Sequence, residues 1–279
     1  MKKNEQIEGQ LTLFIPMEEK IQEDGMIYMS NILVNSGQSL SIRAAKMLRL
    51  LISMVKKNDM DFKGYTIGLA ELSRILNASK PSILRDAFKL TNELAFGGLT
   101  IKRENGRITK MPWCKKAEYD DKKFVLQLND ALSPYLLQLD EFLLLEREEV
   151  MRFKTQYGLR MYELLNSRNF GMKFSMEKKT SIYLSIEDIR FALGLDEYDE
   201  TTGRVKHYKY KNDSGKLYEK VIKPAIRDIE ETAADYKITA EPSKARDGHA
   251  YCGYDFTIIP VTALGDTTKP LKITGGQTK

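Results

Sequence analysis

Between Arg204 and Arg227 eight basic side chains, Arg204, Lys206, Lys209, Lys211, Lys216, Lys220, Lys223 and Arg227, stand against only Asp213 and Glu219. This window carries a larger positive excess than the +5 of the whole 279-residue chain. At about 100° per helical residue, Lys216, Lys220, Lys223 and Arg227 fall within about 60° of one another. Tyr218, Val221, Ala225 and Ile229 take the opposite side, so one face is apolar and one cationic. Solvated faces usually mix signs, whereas Glu219 and Glu230 only flank this stripe. A row of donors like this suits an array of anions. On the second helix of a helix-turn-helix it would face the major groove of duplex DNA, where Lys and Arg donate to guanine O6 and N7 or to phosphates. Lys209, Lys211 and, in a hairpin turn farther on, Arg246 join the stripe as candidate DNA contacts. Pro224 interrupts the run: it removes one helical hydrogen bond, and either bends the helix along the groove or divides it in two.

Other chemistry lacks its parts. No GxxxxGK[ST] occurs, and Gly215-Lys216 is followed by Leu217, which argues against ATP hydrolysis. His207 and His249 form no local metal-ligand pair, and Cys114 and Cys252 have no CxxC partner. A DNA-nicking enzyme would need a tyrosine nucleophile beside a metal site. The expectation is therefore a binding protein with no catalytic residues, metal or cofactor.

The elements that must carry the cations come in two similar sets. In the first, Ala44, Leu48, Leu51, Ile52 and Val55 recur at three- and four-residue steps, which predicts an amphipathic helix over 41–57, capped by Ser39 or Ser41. A strand over Tyr65-Thr66-Ile67, a short helix over 69–76, a break at Asn77 to Lys80 and a second helix opened by Pro81 follow. Beyond them, 99–103 and 108–113 read as a hairpin wing with a third strand at Phe124-Val125-Leu126. In the second set, a helix over 155–167, a strand over 181–184 and a helix capped by Ser185 precede the basic helix, placed at 216–233. A hairpin of 236–240 with 254–259 closes it, with Arg246-Asp247-Gly248 in its turn. Shifted by 117 positions, Ile67, Leu69, Glu71, Leu72, Leu76 and Asn77 fall on Leu184, Ile186, Asp188, Ile189, Leu193 and Gly194. The predicted fold is α+β, with two tandem winged-helix domains.

The boundaries expected are a flexible arm over 1–27, a first domain over 28–150, a second over 151–262 and a tail over 263–279. A helical segment from Glu141 to Lys154 joins the domains. The first domain's second helix carries Arg85 and Lys89 but also Asp86 and Glu93, and its wing carries Lys102, Arg103, Arg107, Lys110, Lys115 and Lys116. We expect Arg85, Lys89, Lys102, Arg103 and Arg107 to touch DNA backbone more than bases. Phe124 to Leu128 is expected beside an open sheet edge, where two copies could pair. With 42% hydrophobic and 30% charged residues the chain is globular in composition. Its apolar runs are far shorter than the ~18 residues of a membrane span, and the start lacks a signal-peptide pattern, so a cytoplasmic protein is expected.

In this order, four segments resemble the theta-type plasmid replication initiators, which bind repeated DNA sites called iterons. They are Ser30-Asn31-Ile32-Leu33, Tyr157 to Leu165, Leu184 to Arg190 with Leu193-Gly194, and Val221 to Ile226 with the family's proline at Pro224. The resemblance covers about residues 28–262. It implies two winged helices, of which the second reads the iteron while the first serves dimerisation and adds backbone contacts. It further implies a homodimer in exchange with a monomer, direct repeats at the origin, and an inverted repeat at the protein's own promoter. Origin opening and recruitment of a host replication initiator and helicase belong to the same pattern. This chain departs from it in an acidic run, Asp196 to Glu200, and a Lys/Tyr-rich stretch before the recognition helix. The alternatives are a winged-helix repressor without a replication role and a rolling-circle nickase.

Overall fold

The computed structural model describes residues 25–56, 59–102, 107–137, 139, 142–168, 179–199, 202, 204–210, 213–244 and 251–261. Residues 1–24 of the expected arm and the whole expected tail lie outside them. Met26 and Ile27, assigned to the arm, instead open strand β1 (Met26–Ser30), followed by helix α1 (Asn31–Val34) and the short strand β2 (Gly37–Gln38). Ser30 caps α1, accepting from Leu33 N. Helix α2 (Ile42–Ser53) starts at Ser41, whose hydroxyl accepts from Ala44 N, which decides between the two cap candidates. Strand β3 (Gly64–Gly68), helix α3 (Leu69–Ile75) and helix α4 (Lys80–Ala95) then form the expected strand and helix-turn-helix.

The wing departs from expectation. Strands β4 (Gly98–Lys102) and β5 (Ile108–Pro112) pair with each other and, through β4, with β2. They form a sheet separate from that of β3. The sheet holding β3 has the order β3-β7-β6, with β6 (Cys114–Tyr119) and β7 (Lys123–Leu128) as the hairpin that closes the unit. Phe124 to Leu128 is therefore a central strand, paired with β3 on one side and β6 on the other, and offers no open edge to a second copy. Its residues Phe124, Leu126 and Leu128 are buried against the helices. A 3-10 turn (Asp130–Leu132) and helix α5 (Ser133–Leu136) follow.

The connection expected to be helical begins as strand β8 (Phe142–Glu146), antiparallel to β1, and only then becomes helix α6 (Arg147–Arg152). Phe-Leu-Leu-Leu has no helical period, and alternate burial of Leu143 and Leu145 opposite Ile27 and Met29 decides for a strand.

The second unit repeats the plan: helix α7 (Gln156–Arg168), strand β9 (Thr180–Ser185) and helix α8 (Ile186–Ala192), capped by Ser185 through Asp188 N at 2.9 Å. The acidic run and Lys/Tyr-rich stretch hold a hairpin, β10 (Asp196–Tyr198) with β11 (Val205–Tyr208), inserted between the two helices of the motif. Helix α9 (Ser214–Leu217), a π-helical turn (Tyr218–Ile222) and helix α10 (Lys223–Thr232) form one helical run. It begins two residues before the expected start because Asp213 accepts from Lys216 N and caps it. Strands β12 (Tyr236–Lys244) and β13 (Tyr251–Pro260) complete a sheet of order β12-β13-β9. That order matches β6-β7-β3, so the first unit's counterpart of the second wing is 114–128. Asn77 and Gly194, aligned by the 117-residue shift, both have positive φ, 48° and 64°.

The first helices of the two units pack against each other. From Ala44 to Ser53 and from Gly158 to Ser167 every residue is buried, charged ones included. Arg49 Nε and Nη2 donate to the two Glu163 oxygens, each at 2.8 Å, and Arg160 pairs with the same carboxylate. Arg160 Nη2 also donates to Val34 O (2.6 Å) and Ser36 O (3.1 Å) of the first unit, and to Ala192 O (3.2 Å) of its own. Burial raises the Glu163 pKa, but the two guanidiniums outweigh that and leave it below the usual range. Burial lowers Arg160 to about 10, still protonated at neutral pH. Arg49, Glu163 and Arg160 thus form a buried ionic joint between the units, in which Arg49 Nη1 has no hydrogen-bond partner among the described residues.

Candidate nucleic-acid interface

The run from Ser214 to Thr232 is fixed from behind by its apolar side. Leu217, Val221, Ile222, Ala225, Ile226 and Ile229 are buried, and a Val, Leu or Ile side chain contributes roughly 1.5–3 kcal/mol when fully buried. Two polar anchors set its position. Tyr254 of β13 donates from its hydroxyl to Ser214 O (2.7 Å) while its ring stacks on Tyr218, with centroids 6.1 Å apart. Buried Asp228 accepts from Lys154 N (3.0 Å), Thr155 N (2.8 Å) and the Thr155 hydroxyl (2.7 Å), capping α7 from α10. Gly158 stands where it does because a Cβ there would come within 2.2 Å of the Asp228 carboxylate.

Pro224 neither breaks nor divides the helix. An α-helical turn would press its ring onto the carbonyl of Lys220. The chain instead widens into a π turn, in which Lys223 N–H bonds Tyr218 O. The extra residue in the turn skews Lys216 and Lys220 relative to Lys223 and Arg227, so the single narrow stripe of a straight helix becomes two offset pairs.

All four of these cations are exposed. Asp213 holds Lys216 at 2.9 Å, and the bond raises the lysine pKa and lowers that of the aspartate. Lys223 pairs with Glu219 at 2.9 Å, so this acid reaches into the stripe instead of only flanking it. Lys220 and Arg227 form no ion pair among the described residues. Lys209 is also exposed, with its ammonium 5.5 Å from the Tyr210 ring centroid. Lys211 and Arg246 lie outside the described residues. Next to the latter, Lys244 lies over the Tyr251 ring (5.7 Å) near the wing tip. Sequence reasoning missed this pair, although a lysine and an aromatic bracketing a glycine turn were there to be seen.

The first unit's candidates are differently placed. Arg85 lies 3.9 Å from Asp86, and Lys89 lies 3.8 Å from Glu93. Lys102 donates to Glu187 of the second unit (2.8 Å), a bond that raises the lysine pKa and lowers that of the glutamate. Its hairpin therefore faces the other unit, and Lys110 lies over the Tyr198 ring (5.4 Å) of the inserted strand β10. Arg107 is exposed, and Arg103 lies outside the described residues. On the closing hairpin, Lys115 pairs with Asp130 and Lys116 with Glu118. Among the described residues no group of three His, Cys, Asp or Glu could hold a metal ion, and no helix is long and apolar enough to cross a membrane. Burial pushes the Cys114 thiol up to about 12, and Cys252 is half-buried.

The family model described as initiator replication protein, WH1, matches residues 26–166. The chain belongs to this family. A curated relative, the replication initiation protein of Escherichia coli, is 24% identical over 163 residues, which cover 57% of this chain and 46% of the relative. The match thus spans about half of that relative's length. Among solved structures, the crystal structure of the Pi initiator protein in complex with iteron DNA superposes with a TM-score of 0.69 at 14% identity. It covers 86% of this chain and 99% of the other. This likeness establishes the α+β architecture of two winged-helix domains across both units of this family member.

Proposed function

We propose that the protein is a plasmid replication initiator that binds repeated origin sites, iterons, through its second unit. The observation that carries this reading is the exposed cationic face of the helix from Ser214 to Thr232, held rigidly by Tyr254 and Asp228 on a winged-helix frame. Membership of the initiator family and the fold shared with a protein crystallised on iteron DNA support it. Lys209, Lys211, Lys216, Lys220, Lys223, Arg227 and Arg246 are the contacts assigned to the iteron. Arg85, Lys89, Lys102, Arg103 and Arg107 are assigned to the DNA backbone, with Lys102 released from Glu187 when it turns to a phosphate. In this reading the first unit also provides the dimer surface, the dimer represses its own promoter at an inverted repeat, and the monomer opens the origin and recruits a host initiator and helicase.

Footprinting on a duplex carrying the direct repeats that flank the gene tests this. Protection of the repeats by the full-length protein, with far weaker binding to random duplex, is expected. Equal affinity for both would sink the reading. Binding confined to an inverted repeat, with plasmid copy number indifferent to the protein, would leave a repressor. A covalent tyrosyl adduct on supercoiled origin DNA with a divalent metal would make it an enzyme.

A further inference from the structure

A cleft of about 840 Å³ lies away from the helix just described, where the start of α2, the turn after α3 and the segment from Arg147 to Lys154 meet. Its lining holds six basic side chains, Arg43, Lys46, Arg74, Arg147, Arg152 and Lys154, and one acid, Glu148. Some of that charge is already matched: Arg43 pairs with Asp86, and Lys154 with Glu231 at 2.7 Å. The side chains of Lys46, Arg74 and Arg152 make no hydrogen bond or ion pair among the described residues.

Lys46 is the informative one. It is 9% exposed, so about nine-tenths of it is out of water, and yet it lines this cleft without an acidic partner. Burial lowers its pKa, with only the more distant charge of Asp228 acting in the other direction. A desolvated ammonium with no acid in direct ion-pair contact is costly, and the cost is relieved when an anion arrives beside it. Half-buried Ile42, Ile75 and Met151 give the same cleft an apolar wall.

We propose that this cleft binds a phosphate-chain ligand, a chain of linked phosphates either carried by a nucleoside or free. The recognition is by side chains, without a glycine-rich cradle, and implies binding with no hydrolysis. Duplex DNA fits it poorly, because a stiff rod resting on the protein surface cannot bring a phosphate down to a lysine that is almost wholly buried. A flexible chain of phosphates can lie along the cleft, with Lys46 inside and Arg74 and Arg152 at the exposed rim. The walls belong to the first unit's helix-turn-helix and to the connection leading into α7, so an occupant would bear on both units at once.

Calorimetry and thermal unfolding of the full-length protein with ATP, tripolyphosphate and adenosine test the proposal. ATP and tripolyphosphate are expected to bind one per chain and to raise the unfolding midpoint, as any ligand of the native state does, while adenosine leaves it unmoved. Arg74→Ala with Arg152→Ala, both exposed, should weaken the phosphate ligands about ten- to a hundredfold, the range for lost charged hydrogen bonds. Lys46→Met should unfold no earlier than the parent and lose the response. Stronger binding of ATP than of tripolyphosphate would assign the chain to a nucleoside resting on the apolar wall, and equal binding to a free chain. The proposal fails if neither phosphate ligand binds, if adenosine binds as well as ATP, or if the double variant binds as the parent does. It fails equally if Lys220→Ala abolishes the binding, or if the double variant loses random-duplex affinity to the same degree, which would make the cleft part of a DNA path.

Discussion

The two helix-turn-helix units share a strand, a first helix, a left-handed residue at the turn and a sheet of the same strand order, yet their second helices present different electrostatics. On α4 each candidate cation has an acid beside it, Asp86 for Arg85 and Glu93 for Lys89. On the run from Ser214 to Thr232, Lys220 and Arg227 have no such pairing among the described residues. The second unit also separates its two helices by the inserted β10–β11 hairpin, tied back to α8 by Arg190 and Asp196 at 3.0 Å. The Arg190 guanidinium in turn lies 5.0 Å from the Tyr208 ring centroid. A common frame thus carries a helix whose two candidate cations both lie beside acids in one unit, and in the other a helix on which Lys216 and Lys223 are paired but Lys220 and Arg227 are not, while the sheet order stays intact.

The largest effect should come from the joint between the units. Glu163→Ala leaves Arg49 and Arg160 facing each other in the dry interior, and loss of one partner of a buried pair costs about 3–5 kcal/mol. Urea unfolding should shift to a lower midpoint in a single transition. An unchanged midpoint, or two separate transitions, would show units that do not depend on each other. Because the folded Glu163 pKa lies below its ordinary 4.5, its contribution is complete above that value and is lost as pH falls through the lower, folded value. The parent should therefore lose more stability than Glu163→Gln between neutral and acid pH.

Next in size is the contrast between the second helices. Lys220→Ala and Arg227→Ala should each weaken specific binding by about 1–3 kcal/mol if they contact bases, with a smaller effect on random duplex. Arg85→Ala and Lys89→Ala should lower affinity for both DNAs alike and flatten the salt dependence by about one counterion for each phosphate left unneutralised. Gel shifts at several salt concentrations measure both, and a base-selective loss from the α4 pair would erase the contrast.

The turns differ more modestly. Gly194→Ala should cost at least about 1–2 kcal/mol for a left-handed residue with a Cβ, because that atom would also lie 2.4 Å from Gln38 O. Asn77→Gly should change stability by only a few tenths of a kcal/mol, since asparagine already tolerates this region. Thermal melts compare the two, and equal losses would show that the turns are not equivalent in the way their φ angles suggest.

Apolar residues at three- and four-residue steps made α2, α3 and α7 legible, while Pro81 marked the start of α4 and Ser185 that of α8. Pairing was harder to read. Nothing in Ile108 to Leu128 says that Pro112 ends one sheet and Cys114 begins another, since both strands have the same local character. The β10–β11 hairpin was hidden because its acidic and Lys/Tyr-rich strands bury little of the apolar surface that reveals a strand. At the candidate interface, the basic residues themselves were visible, whereas their compensation was not: Lys102 finds its acid 85 positions away, and Arg49 finds Glu163 at 114. Contacts over such separations follow from packing, which the local pattern does not encode.

The ionic joint bears on how such a protein can be recombined. A second unit grafted from a relative would have to supply a carboxylate at position 163 for Arg49, and guanidinium donors at position 160 for the carbonyls of Val34 and Ser36. A mismatched chimera would close around a stray charge or an idle carbonyl. The two units look like interchangeable modules on the outside, but at this seam they are heritable only as a pair.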